Sequence, residues 1–122
     1  MLNFKEIKEK YPKSFKLLTE WTKETLLSFQ RMIMSGVKDV EMPEITDEMA
    51  EKALDGFIKV NYRLLFDFCD KNGQQISITF NQVESEEYWE FGLPNYESKE
   101  YKTRIEAEID GINKAFEQLE KQ

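Results

Sequence analysis

The sequence predicts an α+β fold: a helix-rich single domain with N-terminal helices, a small two- or three-stranded antiparallel sheet, and a C-terminal amphipathic helix packed on it. Three observations predict it. Apolar residues recur every three or four positions over 4–35, from 46 onward, and over 103–120. "QISITF" (75–80) and "EEYWEFGLP" (86–94) are instead β-branched or aromatic, with the alternation of half-buried strands. A chain of 122 residues has the length of one domain and can bury a self-sufficient core. The expected organisation is N-terminal helices at 1–35, a connection at 36–45, and helix, sheet and closing helix at 46–122.

Phe4, Ile7 and Tyr11 share one helical face, and Asn3 followed by Glu6 marks a helix start. Pro12 breaks that segment but suits the first turn of a second helix. This second helix is predicted over 12–35, on a stripe of Phe15, Leu18, Thr22, Leu26, Phe29 and Ile33 widened by Leu17 and Trp21. Gly36 is placed to end it in a left-handed conformation. "GVKDVEMPEI" then reads as a connection. Thr46 caps a third helix, whose positive end is met by Asp47 and Glu48.

Beyond Asn61 two readings fit. "NYRLLFDFCDKNGQQISITF" forms either a hairpin about Asn72-Gly73 or a helix ending there and followed by one strand. Ahead of the turn there is no β-branched residue, whereas Ile76, Ile78 and Thr79 follow it, which favours helix then strand. Gly56 is the expected place for a kink. In the second strand Trp89, Phe91 and Leu93 face one way, and Tyr88, Glu90 and Gly92 the other. Thr103 and Glu106 form a capping box for the last helix. Its apolar stripe is Ile105, Ile109, Ile112, Phe116 and Leu119, with Ala115 beside it, while Arg104, Glu106, Glu108, Asp110, Asn113, Glu117 and Glu120 are assigned to solvent. A partner-binding helix has the same pattern, but a terminal helix closing its own core is the commoner use.

The segments "KYPKSFKLLTEW", "LLFDFCDKNG" and "YKTRIEAEIDGINKAFEQLE" together resemble short proteins of phages and prophages from Bacteroides-type bacteria. Cys69 stands where such proteins usually carry Phe. The resemblance implies a mobile-element origin and a cytosolic setting in a bacterial host. It implies no activity, cofactor or catalytic residue.

Composition narrows the chemistry. The chain has no His, so Ser-His-Asp and Cys-His arrangements are impossible within it, and the commonest zinc ligand is missing. Its single Cys69 has no internal disulfide partner, which fits a reducing cytosol. "DKNG" resembles part of a calcium loop, but in that register Phe68 and Thr79 occupy positions that need carboxylates. No glycine-rich phosphate loop is present. Carboxylate pairs such as Asp67 with Asp70, and Glu84 with Glu86 and Glu87, are expected among 24 acids without any catalytic role. No enzyme activity and no cofactor or metal is therefore expected. No apolar run reaches the roughly 20 residues of a membrane span, and "MLNFKEIKEKYPK" lacks a signal-peptide core.

Net charge is −7, divided between residues 1–40, with eight Lys/Arg against five Asp/Glu, and residues 41–122, with nine against nineteen. An acidic body repels phosphate, so nucleic acid is a disfavoured partner. The expected function is that of a phage or mobile-element accessory protein acting through contact with an unknown protein partner. Tyr88, Trp89 and Tyr96, at a sheet edge and the loop after it, are the candidate contact residues. One alternative is an acidic anti-defence protein that mimics nucleic acid. Another is a weak double-stranded-RNA-binding-like module, with Lys99, Lys102 and Arg104 on phosphate, although neighbouring glutamates oppose it.

Overall fold

The computed structural model describes residues 2–36, 44–97 and 99–122. Helix α1 (Phe4–Lys10) starts as expected, with the Asn3 side chain accepting hydrogen bonds from the N–H groups of Lys5 and Glu6. Pro12 occupies the first turn of helix α2 (Pro12–Ile33). Phe15, Leu18, Trp21 and Thr22 are buried, but Phe29 and Ile33 are 61% and 63% exposed. Half of the predicted stripe thus lies outside the core, since spacing defines a face without ensuring that anything packs on it. Gly36 has the expected positive φ of 91°. Most of the connection predicted at 36–45 lies outside the described residues.

Helix α3 (Asp47–Asn61) begins on Thr46, whose hydroxyl accepts the Met49 N–H. The helix runs unbroken through Gly56. The helix breaks later, in a 3-10 turn at Tyr62–Leu64, before helix α4 (Leu65–Lys71). The helix-then-strand reading of this region is correct. Helix α4 closes on Gly73 (φ 77°): the Gln74 N–H reaches back to the Cys69 carbonyl at 2.8 Å and the Gly73 N–H to that of Asp70. That pattern satisfies carbonyls which the helix end would otherwise leave open.

Strands β1 (Ser77–Val83), β2 (Glu86–Leu93) and β3 (Tyr96–Glu97) form an antiparallel meander in the order β1-β2-β3. Helix α5 (Arg104–Glu120) covers one face of this sheet and packs its other side against α2. The approach to the sheet is close at Gly111, where an added Cβ would lie 3.1 Å from Ile76 and 3.3 Å from Phe91. The core joins α2, α4 and α5 through three rings. Phe68 packs edge-on against Trp21 at 5.9 Å and against Phe116 at 6.0 Å.

Two features of α5 depart from the expected amphipathic pattern. Ile105 is 55% exposed, whereas Glu108, assigned to solvent, is completely buried. Arg63 holds the Glu108 carboxylate through two hydrogen bonds of 2.7 and 2.9 Å, and the Tyr62 hydroxyl adds a third at 3.3 Å. The carboxylate in turn raises the Arg63 pKa. A charge on the inner side of a helix is tolerated only when paired in this way.

At the other end of α5, Glu120 accepts the Lys13 and Ser14 N–H groups at 3.2 and 3.0 Å, and the Ser14 hydroxyl donates to the Phe116 carbonyl at 2.8 Å. Tyr11, at the N-cap of α2, supplies no side-chain cap. The last turn of the final helix therefore caps the second helix. Desolvation pushes the Glu120 pKa up, but the hydrogen bonds from Ser14 and Lys13 outweigh it and hold the carboxyl below its ordinary value.

Two outcomes are expected. Phe116→Ala removes a fully buried ring and costs about 3–5 kcal/mol in urea denaturation; a loss below about 1 kcal/mol with the fold intact would show that α5 does not close the core. Because the folded pKa of Glu120 is depressed, its contribution is complete above the unfolded value and is lost as pH falls through the folded one. The urea midpoint of Glu120→Gln should start lower at pH 7 and fall less steeply than wild type between about pH 5 and 3.

Candidate protein-contact surface

Strand parity and the third strand decide where the predicted contact residues lie. Trp89 sits on the helix-facing side of β2, 5.0 Å from the Phe80 ring, with the Arg104 guanidinium 5.7 Å above it. Tyr96 lies on the same side, stacked on Phe91 at 5.7 Å, with the Lys114 ammonium 4.7 Å from its ring centre. Tyr88 pairs with Asn81 and points to the opposite, uncovered face. The three residues do not form one site. Trp89 is not at a sheet edge either, because Tyr101 bridges it on the β3 side, while the pairing recorded on that side stops short of Tyr88.

What the fold does assemble is a groove of about 380 Å³ between α5 and the β3 side of the sheet. Its aromatic wall is Tyr96, Phe91 and Tyr101, and its polar groups come from Lys99, Asp110, Lys114 and Glu117. Tyr101 is buried, and that burial, followed by the hydrogen bond its hydroxyl makes with Asp110, pushes the hydroxyl pKa up. The Lys99 ammonium stands 5.6 Å from the Tyr101 ring. Glu117 is held below the ordinary carboxylate range, chiefly by the Lys121 ammonium and against some desolvation, with help from Lys114. Asp110, Asn113, Lys114 and Glu117 recur at helical spacing and so share one side of α5. That spacing was visible in the sequence, but nothing there revealed which aromatic residues would face it.

The candidate phosphate residues take other roles. Arg104 lies over Trp89 and 3.6 Å from the buried Glu108 carboxylate. Lys99 and Lys102 are exposed beside exposed Glu97, Glu100 and Glu106. From Asp47 onward the element order is α3, a 3-10 turn, α4, three strands and α5, so a second helix at Leu65–Lys71 stands between α3 and the sheet, and the third strand is the two-residue β3. Cys69 is buried among apolar groups, and desolvation pushes its thiol up to about 12, so it stays protonated and unreactive near neutral pH.

Among the described residues no group of three or more Cys, Asp or Glu is arranged to hold a metal, and no helix is long and apolar enough to cross a membrane. No protein-family model matches the chain, and neither does any curated protein or solved structure.

Duplex DNA and RNA should not bind at physiological salt, because the sheet and its turns carry five Glu and no Lys or Arg from residue 72 to 98. A fluorescence-anisotropy titration checks this. Sub-micromolar binding that weakens steeply with salt would return Lys99, Lys102 and Arg104 to the centre of the functional question.

Proposed function

We propose that this is a non-catalytic accessory protein, of the phage or mobile-element kind that the sequence resembles, acting in the bacterial cytoplasm through protein–protein contact. The observation that carries the reading is the half-buried Tyr96 ring at the wall of the α5–β3 groove, held between Phe91 and the Lys114 ammonium. A rigid aromatic ring with a cation over it, at a concave and partly desolvated surface, has the makeup of an interface hot spot. The groove offers both signs of charge beside its rings, which suits a partner's polar side chain better than an apolar ligand.

The acidic-mimic alternative draws on a separate observation. Glu84, Glu86 and Glu87 are exposed at and beside the β1–β2 hairpin turn, and the uncovered face of β2 adds Glu90. Carboxylates on a projecting hairpin could occupy a basic groove of a nucleic-acid enzyme.

Affinity capture from host lysate followed by mass spectrometry, run in parallel with variants, tests both readings. Capture by wild type and its loss in Tyr96→Ala/Lys114→Ala, with an unchanged circular dichroism spectrum, is the expected result. Undiminished capture by that variant would remove the groove from the function. Loss of capture instead in Glu84→Gln/Glu86→Gln/Glu87→Gln, together with competition by duplex DNA, would favour the mimic.

A further inference from the structure

The geometry points to β1 as a self-pairing edge: two copies of this chain join antiparallel through β1, with a two-fold axis at Phe80, into one continuous six-stranded sheet. This is independent of the partner-contact reading, which uses the opposite side of the sheet.

The argument starts from the ladder. Trp89 exchanges both of its backbone hydrogen bonds with Tyr101, at 2.8 Å each way, so its N–H and C=O point away from β1. Phe80, its cross-strand neighbour, is then a non-hydrogen-bonded partner and directs its own N–H and C=O away from β2. Antiparallel alternation gives Ile78 and Gln82 the same outward direction. Strand order leaves that row on an open edge, and no backbone bond outside the sheet ladder engages it among the described residues.

Edges of this kind are ordinarily blunted with charge, Pro or a bulge. Here "SITFNQV" carries none of these, in a chain where 34% of residues are charged. Five of its seven residues are exposed, and Phe80 is 46% exposed.

A second copy fits this edge in a definite register. With Phe80 opposite Phe80, Ile78 faces Gln82 and Thr79 faces Asn81, so every outward backbone group gains a partner and no two charges meet. Glu84 of each copy falls opposite Ile76 of the other. The two acidic turns then lie roughly 27 Å apart along the strands, at about 3.4 Å per residue, well beyond a Debye length of about 8 Å. The covering helices also clear one another. Helix α5 lies chiefly over β2, so the two copies of α5 stand about 14 Å apart, three strand spacings, against a helix diameter of about 10–12 Å. The space between them is where the paired Phe80 rings would lie, extending the Phe80–Trp89 contact across the two-fold axis.

Sedimentation equilibrium on the full chain, with register-specific cross-linking, tests the proposal. Wild type should show a monomer–dimer equilibrium that tightens with added salt, since each copy carries −7. Phe80→Lys should weaken it by roughly tenfold or more with an unchanged circular dichroism spectrum. Under mild oxidation Phe80→Cys should form a covalent dimer, because Cα atoms paired at the axis lie about 5.5 Å apart, within disulfide reach. Val83→Cys should not, its copies being about 20 Å apart. The native Cys69 is buried and does not compete. A wild type that stays monomeric at all concentrations, equal cross-linking at both positions, or association only with a basic peptide and weakened by salt would each overturn the proposal.

Discussion

Helix α5 has to serve two surfaces at once, and the rest of the structure depends on that constraint. Its sheet side must be small, and at Gly111 even a methyl group would press on Ile76 and Phe91. Its other side must be large enough to reach α2 and α4, which Phe116 does by meeting the Phe68 ring. Polar contacts add to the buried Ala107 and Leu119 in fixing its two ends. Glu108 ties the first half to the 3-10 turn through Arg63, and Glu120 ties the last turn to the start of α2. Both carboxylates reach across the core to residues far away in sequence. Removing α5 would therefore uncover the sheet, unpair Arg63 and uncap α2 together. Such shared dependence is what makes a small domain unfold cooperatively.

The same arrangement explains where the candidate contact surface lies. With α5 over one face, the described residues leave the sheet an open face, an open β1 edge and a groove on the β3 side. The open face carries Ser77, Thr79, Asn81 and Glu90, which water solvates without cost. Tyr88 belongs to it, and an isolated half-buried tyrosine there needs no partner to explain it. The groove differs in kind, because its aromatic wall is part of the core and its cations are held over rings. Groups held in place before binding lose little entropy when a partner arrives.

Local signals in the sequence were legible wherever the physics is local. Asn3, Pro12, Thr46 and Thr103 cap or open helices within three residues of themselves, and Gly73 ends α4 through its own backbone freedom. Strand parity was legible too, since alternation alone separates Trp89 from Tyr88. Three misreadings needed long-range information. Glu108 lies four residues before Ile112 and three after Ile105, on the edge of the apolar stripe, and only Arg63, 45 residues away, decides that it faces inward. Phe29 and Ile33 have the spacing of core residues, but no described element buries them. A two-residue strand such as β3 has no periodicity at all, and its pairing alone makes β2 central.

That last point has the widest consequence for the site. Without β3 the sheet is a hairpin, both strands are edges, and Trp89 and Tyr88 offer themselves equally to a partner. With β3 and the Tyr101 bridge in place, both backbone groups of Trp89 are satisfied by Tyr101 and its hydrogen-bonding pattern is fixed. The open edge moves to β1, and the direction of every exposed backbone group on that strand follows from the bond between Trp89 and Tyr101. The absence of charge in "SITFNQV" was visible from the start. Only the bridge shows that this uncharged strand is the one left unpaired.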